Sequence, residues 1–591
     1  MGSGDGGEGG LSTERTFESK SGRCLSTQLD MMNKTRSGLK WGWRVVVFGW
    51  LSSSAFAADF VTQRWRVAEI PLTSAVNYAD PFQDVEVTAT FTGPGGEVIV
   101  RPGFWDGGST WRFRFAPTVA GAWSMVTTCT NPADKGLQGV TRTLQCDDYT
   151  GPYAIYQRGF LKVSADGRYF VYADGTPFFY LGDTHWLFPH ERFETSNVPG
   201  VPSQFKYTVD KRVAQGFTVF QTESIHNPHG GTHTNADEEA HCDLRDGLTA
   251  ADLPGFANMD RKFAYLADHG LVHAHAGLTW ALEPVKNPQY YTPAYMAKLG
   301  RYWAARFGAY PVLWTIAQEI DPNMYKAYDM GTIGLWYAGA QAIADNDAYD
   351  QPLGVHLQAI GNGIEGPDES WWANKPYHQW WPVQLQGDLS GFSAAKRFWQ
   401  YAPAKPTVLY EAPYEDFWTD AKGARGAGYK AFQWGMYGYG YGANGTWNDL
   451  YSPDDFGTDY EMPNRYLSWY DGANLPGAVQ LGYLKKFYTA LQWWKLVPRF
   501  DDPAWSAFTD PNHSLLSSDG NATYVVYFFG ENDETGTLKG MAPEVSYAAA
   551  WFNPRAGTFI ELGTVSADNG EWTIPVRPTP DDWVLLVNRS K

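Results

Sequence analysis

The chain has 591 residues, 43% hydrophobic and 19% charged, with a formal net charge of −18. At roughly 100 to 200 residues per domain this length predicts about three to five domains, fewer if one is a large barrel. The acidic balance excludes a nucleic-acid partner, because a phosphate backbone is held by clustered Lys and Arg. Aromatic residues reach 16%, with 27 Trp and 35 Tyr, which leans toward stacking on sugar rings as well as toward core packing.

In chain order, the hydrophilic, Gly-rich residues 1–31 carry no targeting logic, so translation is expected to begin at Met31 or Met32 and these residues are an extraneous leader. Residues 32–57 combine a basic start (Lys34, Arg36, Lys40, Arg44), an apolar stretch over 45–51 and the small-residue end Ala55-Phe56-Ala57, the pattern of a secretory signal peptide. The apolar run is far shorter than the roughly 20 residues that span a bilayer. The expectation is therefore a secreted or periplasmic protein, cleaved near Ala57 and without a membrane anchor. Three cysteines remain after that point, Cys129, Cys146 and Cys242. Cys129 and Cys146 each end an apparent strand, which fits either a disulfide or two free thiols.

Residues 58–150 alternate in short runs (DVEVTATFTG, GEVIVRPGFW, TWRFRFAPT, GAWSMVTTCT) between Gly, Pro and Asn turns, and this predicts an N-terminal β-sandwich. Over residues 151–494 short apolar strands alternate with helical stretches such as RKFAYLADHG and PAYMAKLGRYWAARFGAY. The strand candidates are FFYLGDTHW, GFTVFQTESI, GLVHAHAGLTW, YPVLWTIAQEID, PLGVHLQ, HQWWPVQLQG, PTVLYEAPYED and YKAFQWGMYGYGYG, eight in all, which predicts a (β/α)8 TIM barrel. Residues 495–591 return to alternation in NATYVVYFFG, YAAAWFNPRAG and DDWVLLVNRS, a C-terminal β-sandwich.

In such a barrel the functional groups lie where strands run into their following loops. Those strand ends carry Asp183, His185 and Trp186 on the first, Glu223 on the second, His275 and Trp280 on the third, and Gln318, Glu319 and Asp321 on the fourth. Gln384 follows on the sixth, Tyr410 and Glu411 on the seventh, and Trp434, Tyr439 and Trp447 on the eighth. Two carboxylates at one cleft can divide the work of cleaving a glycosidic bond, one protonating the leaving oxygen while the other attacks or activates water. Glu319 and Glu411 each follow a short apolar strand directly and are the candidate pair, with retention of configuration expected and Asp321 the rival for the acid. Asp183 and Glu223 fit either sugar-hydroxyl ligands or supports for other site residues. Trp186 and Trp280 fit either a stacking platform or packing under the rim, and His185 a hydrogen-bond partner of substrate or nucleophile. Strand alternation points Tyr410 away from the centre.

The order LGDTHW, WTIAQEID, LYEAPYED, YGYGYGANGTW resembles the apiosidase-like (DUF4038-type) family of barrel glycosidases. The first sandwich is similar to the DUF5060-like domain that precedes such barrels, and the last to the small sandwich that closes them. The resemblance implies a glycoside hydrolase with its general acid/base at Glu319, its nucleophile at Glu411, a carbohydrate substrate and no cofactor. One departure is Gln318, where the larger related clan usually places Asn before the strand-four Glu.

The loop after the second strand carries His226, His229, His233, His241 and Cys242 beside Asp237, Glu238 and Glu239, in spacings that match no standard zinc pattern. A solvated lid or subsite wall is the expectation there, with no metal. YGYGYGANGTW lacks the Lys-Ser/Thr ending of a phosphate loop. Two other function classes remain open: a polysaccharide lyase, which needs a His or Tyr base and cations to neutralise a uronate, and a non-catalytic glycan-binding protein on a barrel scaffold.

Overall fold

The computed structural model describes residues 57–591 apart from 224–238, 241, 243, 245–246, 280–282, 321, 323–329, 358–367, 386–389, 448–465, 521, 532–534 and 591. The expected leader and signal peptide lie outside the described residues, as do Trp280, Asp321 and most of the His-rich loop.

Eight parallel strands form the central sheet: β1 (Tyr180–His185), β2 (Val219–Glu223), β3 (Val272–Ala276), β4 (Val312–Thr315), β5 (Leu353–Gly354), β6 (Trp381–Gln384), β7 (Thr407–Glu411) and β8 (Gly438–Tyr441). Their hydrogen-bonded order runs β5-β4-β3-β2-β1-β8-β7-β6, and the parallel bridges Gly354↔Trp380 and Leu357↔Val383 bring the two end strands together, closing the barrel. Helices α1 (Gln204–Gln215), α2 (Leu253–Asp268), α3 (Pro293–Phe307), α4 (Met330–Asn346), α5 (Ser390–Gln400), α6 (Ala421–Gln433) and α7 (Pro476–Thr489) follow β1 to β4 and β6 to β8. Their ends carry the residues such ends favour: Ser203 caps α1 through the Lys206 amide, Thr292 precedes Pro293 at the start of α3, and Gly216 closes α1 in the left-handed conformation.

The period of two along each strand sorts side chains between the barrel interior and the helix layer. Tyr180, Val219, Val272, Ala274, Leu313, Val408 and Tyr410 belong to one buried cluster that rises from Phe160 and Phe170 below the barrel to Trp186, Tyr414 and Trp447 at its mouth. The run YGYGYG shows the same sorting. Tyr439 and Tyr441 turn outward, their hydroxyls donating to Ala424 O on α6 and to Glu415, while the intervening glycines face inward. A Cβ on Gly440 would overlap the Tyr410 carbonyl and the Gln221 side chain. That room is occupied by Gln221, whose amide donates to Tyr410 O (2.7 Å) and Thr184 Oγ1 (3.0 Å) and accepts from the Tyr180 hydroxyl (3.0 Å).

Two sequence expectations are corrected. Of the eighth candidate strand, residues through Gln433 are the end of α6, and the strand begins only at Gly438. Tyr410 points into the barrel instead of away from it, because the β6–β7 register shifts at Gln384: Val383 pairs with Leu409 but Gln384 with Glu411, so an extra residue on β7 lets Tyr410 and Glu411 both face the interior. Of the two readings left open for Cys129 and Cys146, the structure has free thiols. Their strands pair antiparallel with Gly121 opposite Cys146, which puts Cys129 at the far end of the ladder.

The flanking regions are antiparallel apart from the parallel pairing of residues 60–63 with 144–147, with sheets of five and three strands before the barrel and of six and three strands after it. Both are bolted to the barrel by arginines. Arg101 of the first region donates to Ala304 O and Ala305 O at the end of α3, where unsatisfied carbonyls collect. Arg425 of α6 makes a bidentate pair with Asp582 of the last region (2.8 and 2.7 Å).

Candidate active site

Glu319 follows β4 with φ +57, a left-handed backbone that non-glycine residues rarely adopt and that turns up at functional sites. Glu411 ends β7 and is buried. The Tyr414 hydroxyl donates to Glu411 Oε1, and Trp186 Nε1 donates to Tyr414 Oη (2.7 Å). His356, from the segment just after β5, lies 3.5 Å from Glu411 Oε2. Burial pushes the Glu411 carboxyl up to about 7, against donors from Tyr414, Gln384 and Trp186 that pull it down by stabilising the anion. Burial alone depresses His356 to about 3, so this imidazole is neutral at physiological pH.

Glu223 points from the end of β2 into the same mouth, and among the described residues no hydrogen-bond partner meets either of its carboxyl oxygens, although the residue is 1% exposed. Burial first, and then the Glu319 carboxylate beside it, push its carboxyl well above the usual range. Glu223 therefore favours its protonated form beside the Glu319 carboxylate.

Aromatic rings wall the site. Trp186 stacks over His356 (5.9 Å between centroids, 24° between planes), and Trp447 over Tyr414 (5.2 Å, 26°). The Trp447 carbonyl also accepts from the Trp186 amide (2.9 Å), tying the eighth strand's loop to the first.

Of the residues singled out in sequence, the mouth thus brings together Glu319, Glu411, Glu223, Trp186, Gln384 and Trp447, with Gln318 half-buried next to Glu319. Five others are corrected. Asp183 and His185 lie on the outer face of β1: Arg212 of α1 pairs with Asp183 (2.6 Å), and His185 bridges Asp183 (2.7 Å) and Glu191 (2.9 Å) while stacking on Phe220. His275 likewise faces outward and accepts from Trp303 Nε1 of α3. Trp434 caps the end of α6, before β8 rather than after it, and Tyr439 faces α6. Each shares its strand with true mouth residues but has the opposite parity or sits at the wrong end. In the His-rich loop, the described Cys242 is buried and Glu239 pairs with Arg261. Among the described residues no group of His, Cys, Asp and Glu is placed to hold a metal.

Two residues of the site went unrecognised in sequence, His356 and Tyr414. Both stand in quoted strand motifs, PLGVHLQ and LYEAPYED; the signal was Tyr414 at three residues past Glu411, close enough to fold back on it.

Known proteins agree with this architecture. The apiosidase-like catalytic domain matches residues 164–495, and the domain of unknown function DUF5060 matches residues 61–130. No curated protein matches the chain. Among solved structures, a candidate glycoside hydrolase from Bacteroides vulgatus ATCC 8482 aligns with a TM-score of 0.67 at 17% identity, covering 90% of this chain and 100% of its own. A family 5 glycoside hydrolase from the same organism aligns at 0.60 and 18% identity, covering 74% of this chain and 94% of its own. Another glycoside hydrolase aligns at 0.59 and 19% identity, covering 74% and 99%. At these identities the likeness is one of fold, but the family match spans more than half of the chain: this protein belongs to the apiosidase-like family.

Proposed function

We propose that the protein is a glycoside hydrolase that cleaves an O-glycosidic bond of an oligosaccharide or polysaccharide with retention of configuration, Glu411 attacking the anomeric carbon and Glu319 serving as acid and then base. The observation that carries this reading is the contrast between the two carboxyl environments. Donors from Tyr414, Gln384 and Trp186 converge on Glu411 and stabilise its anion against burial, while the Glu319 carboxylate acts on Glu223 and on Tyr414, the ring that bonds Glu411, so that two carboxyl groups in unlike surroundings share one mouth. A nucleophile must bear charge when it attacks, and an acid must bring a proton to the leaving oxygen. The family membership and the fold of the neighbouring structures support the same chemistry.

In the first step the Glu411 carboxylate bonds to the anomeric carbon as the glycosidic C–O bond breaks and the Glu319 proton passes to the departing oxygen. In the second, Glu319 takes a proton from water, which displaces Glu411 and regenerates both groups. Trp186 and Trp447 offer apolar walls for the sugar ring, and Gln384, Gln318 and Glu223 offer polar contacts to its hydroxyls. The basic, apolar and small-residue order of residues 32–57 leads us to place the enzyme outside the cytoplasm.

The test is hydrolysis of a panel of polysaccharides and aryl glycosides, with the anomeric configuration of the product followed by NMR. Glu319→Gln is expected to lower kcat by about 10²- to 10⁴-fold, the range of acid–base contributions, and Glu411→Gln, which removes the nucleophile, by at least as much. Inverted product would assign Glu411 to the activation of water, and undiminished activity in either variant would sink the pairing.

A further inference from the structure

Trp418 is 49% exposed, and no other tryptophan among the described residues is exposed. It is also firmly held. Its ring stacks on Tyr414 (4.8 Å, 23°), lies nearly parallel to Trp447 (6.5 Å, 21°) and rests on the edge of Phe417 (4.9 Å, 62°). The turn that carries it is fixed by backbone bonds from Phe417, Trp418 and Thr419 to Tyr414 O, by left-handed Asp416 (φ +59), and by the Asn444 amide donating to Asp416 O. A large apolar ring presented to water on a rigid turn, with Asp416 in a costly conformation, is a platform more than a stray surface residue.

Tyr414 is the ring that bonds Glu411, so a stack of rings links Glu411 to Trp418. Beyond Trp418 a groove of about 540 Å³ continues along α6 to the last sandwich, lined by Thr419, Asp420, Lys422, Lys430 and Phe529 among others. Gly423 and Gly426 form part of its wall on α6. One aromatic face with hydroxyl, carboxylate and ammonium groups along the edges matches a sugar ring, which has an apolar C–H face and a polar rim, better than it matches the uniformly apolar surface of a lipid or an apolar helix.

We propose that this groove is a distal subsite, in which Trp418 stacks a further sugar unit of the glycan whose bond is cut between Glu319 and Glu411. The inference rests on the glycosidase reading and adds to it that the substrate is a chain long enough to leave the cleft, and that the C-terminal sandwich takes part in holding it.

The experiment compares two substrates of one linkage, an aryl glycoside confined to the cleft and an oligosaccharide that reaches the groove, in wild type, Trp418→Ala, Trp418→Phe and Lys422→Ala. The expected result is a KM for the oligosaccharide raised about tenfold by Trp418→Ala, with its kcat and the aryl glycoside kinetics unchanged. Trp418→Phe, which keeps an aromatic face, recovers most of the loss, and Lys422→Ala, remote from Tyr414, raises the same KM. An equal loss on both substrates would mean that Trp418 only supports Tyr414, and no loss on either would leave the groove without a substrate; both overturn the proposal. If no glycan is hydrolysed at all, the glycosidase reading fails, and saturation-transfer NMR with xylohexaose, mannohexaose and cellohexaose decides the groove separately. Transfer in wild type that is lost in Trp418→Ala keeps the groove as a glycan site, and absence of transfer from all three removes it.

Discussion

At the scale of single residues the site is a problem of where charge can reside. Glu411 sits among rings and strands, and burial alone would keep it neutral; the Tyr414 hydroxyl, the Gln384 amide and the Trp186 indole bring it back to about 7. If its anion is the attacking form, kcat/KM rises with pH through about 7 on the acid limb, and a pH profile of the free enzyme measures it. Tyr414→Phe removes a donor from the anion, so the proton is held more tightly and the limb moves to higher pH, with a drop in rate at pH 7. A profile unmoved by that substitution would separate Tyr414 from the titration. Glu319 and Glu411 could be picked out in the sequence because each follows an apolar strand directly. His356 could not, since a lone His just past a buried strand reads as packing until the fold places it against a carboxylate, and Tyr414 could be suspected only from its place three residues past Glu411.

At the scale of the element, strand parity decides which polar residues reach the cleft. In GDTHW, Trp186 rises into the mouth while Asp183 and His185 face α1, where Arg212 completes a buried chain of charges. A period of two was available in the sequence and forbids Asp183 and Trp186 from sharing a face, so these misplacements were avoidable. The bulge that turns both Tyr410 and Glu411 inward was not, because it depends on how β7 registers against β6, a neighbour known only once the sheet is assembled. The glycine face of β8 is a further consequence of assembly. Gly440→Ala places a methyl group against the Tyr410 carbonyl and Gln221, and it is expected to destabilise the barrel by about 1 to 3 kcal/mol, the range for overpacked cores. Urea unfolding measures this, and an unchanged midpoint would show that Gln221 can move aside.

At the scale of the whole molecule, the sandwiches brace the barrel through buried ion pairs. Arg114 of the first sandwich meets Asp260 of α2 (2.7 Å), which also binds Arg306 of α3 (2.6 Å). Burial opposes the charge on Asp260, but Arg114 and Arg306 outweigh it and hold the carboxyl at about 2. The folded value lies below the ordinary one, so this stabilisation is present above the usual Asp range and is lost as pH falls through about 2. Arg114→Ala breaks the buried network and is expected to lower stability by about 3 to 5 kcal/mol near neutral pH, read from the denaturant midpoint. A loss of a few tenths would mean that the sandwich merely rests against the barrel. The alternation of short strands with helices and the flanking runs of period two determined the barrel between two antiparallel regions, because local periodicity sets which elements form and which face each buries. The glutamates at the ends of the fourth and seventh strands were determined with them, since a strand end in this fold is already the barrel mouth. Only the tertiary structure decided which neighbours stand beside those glutamates. Register, bulges and the contact of loops far apart in the chain are set by packing between segments, and no local pattern encodes them.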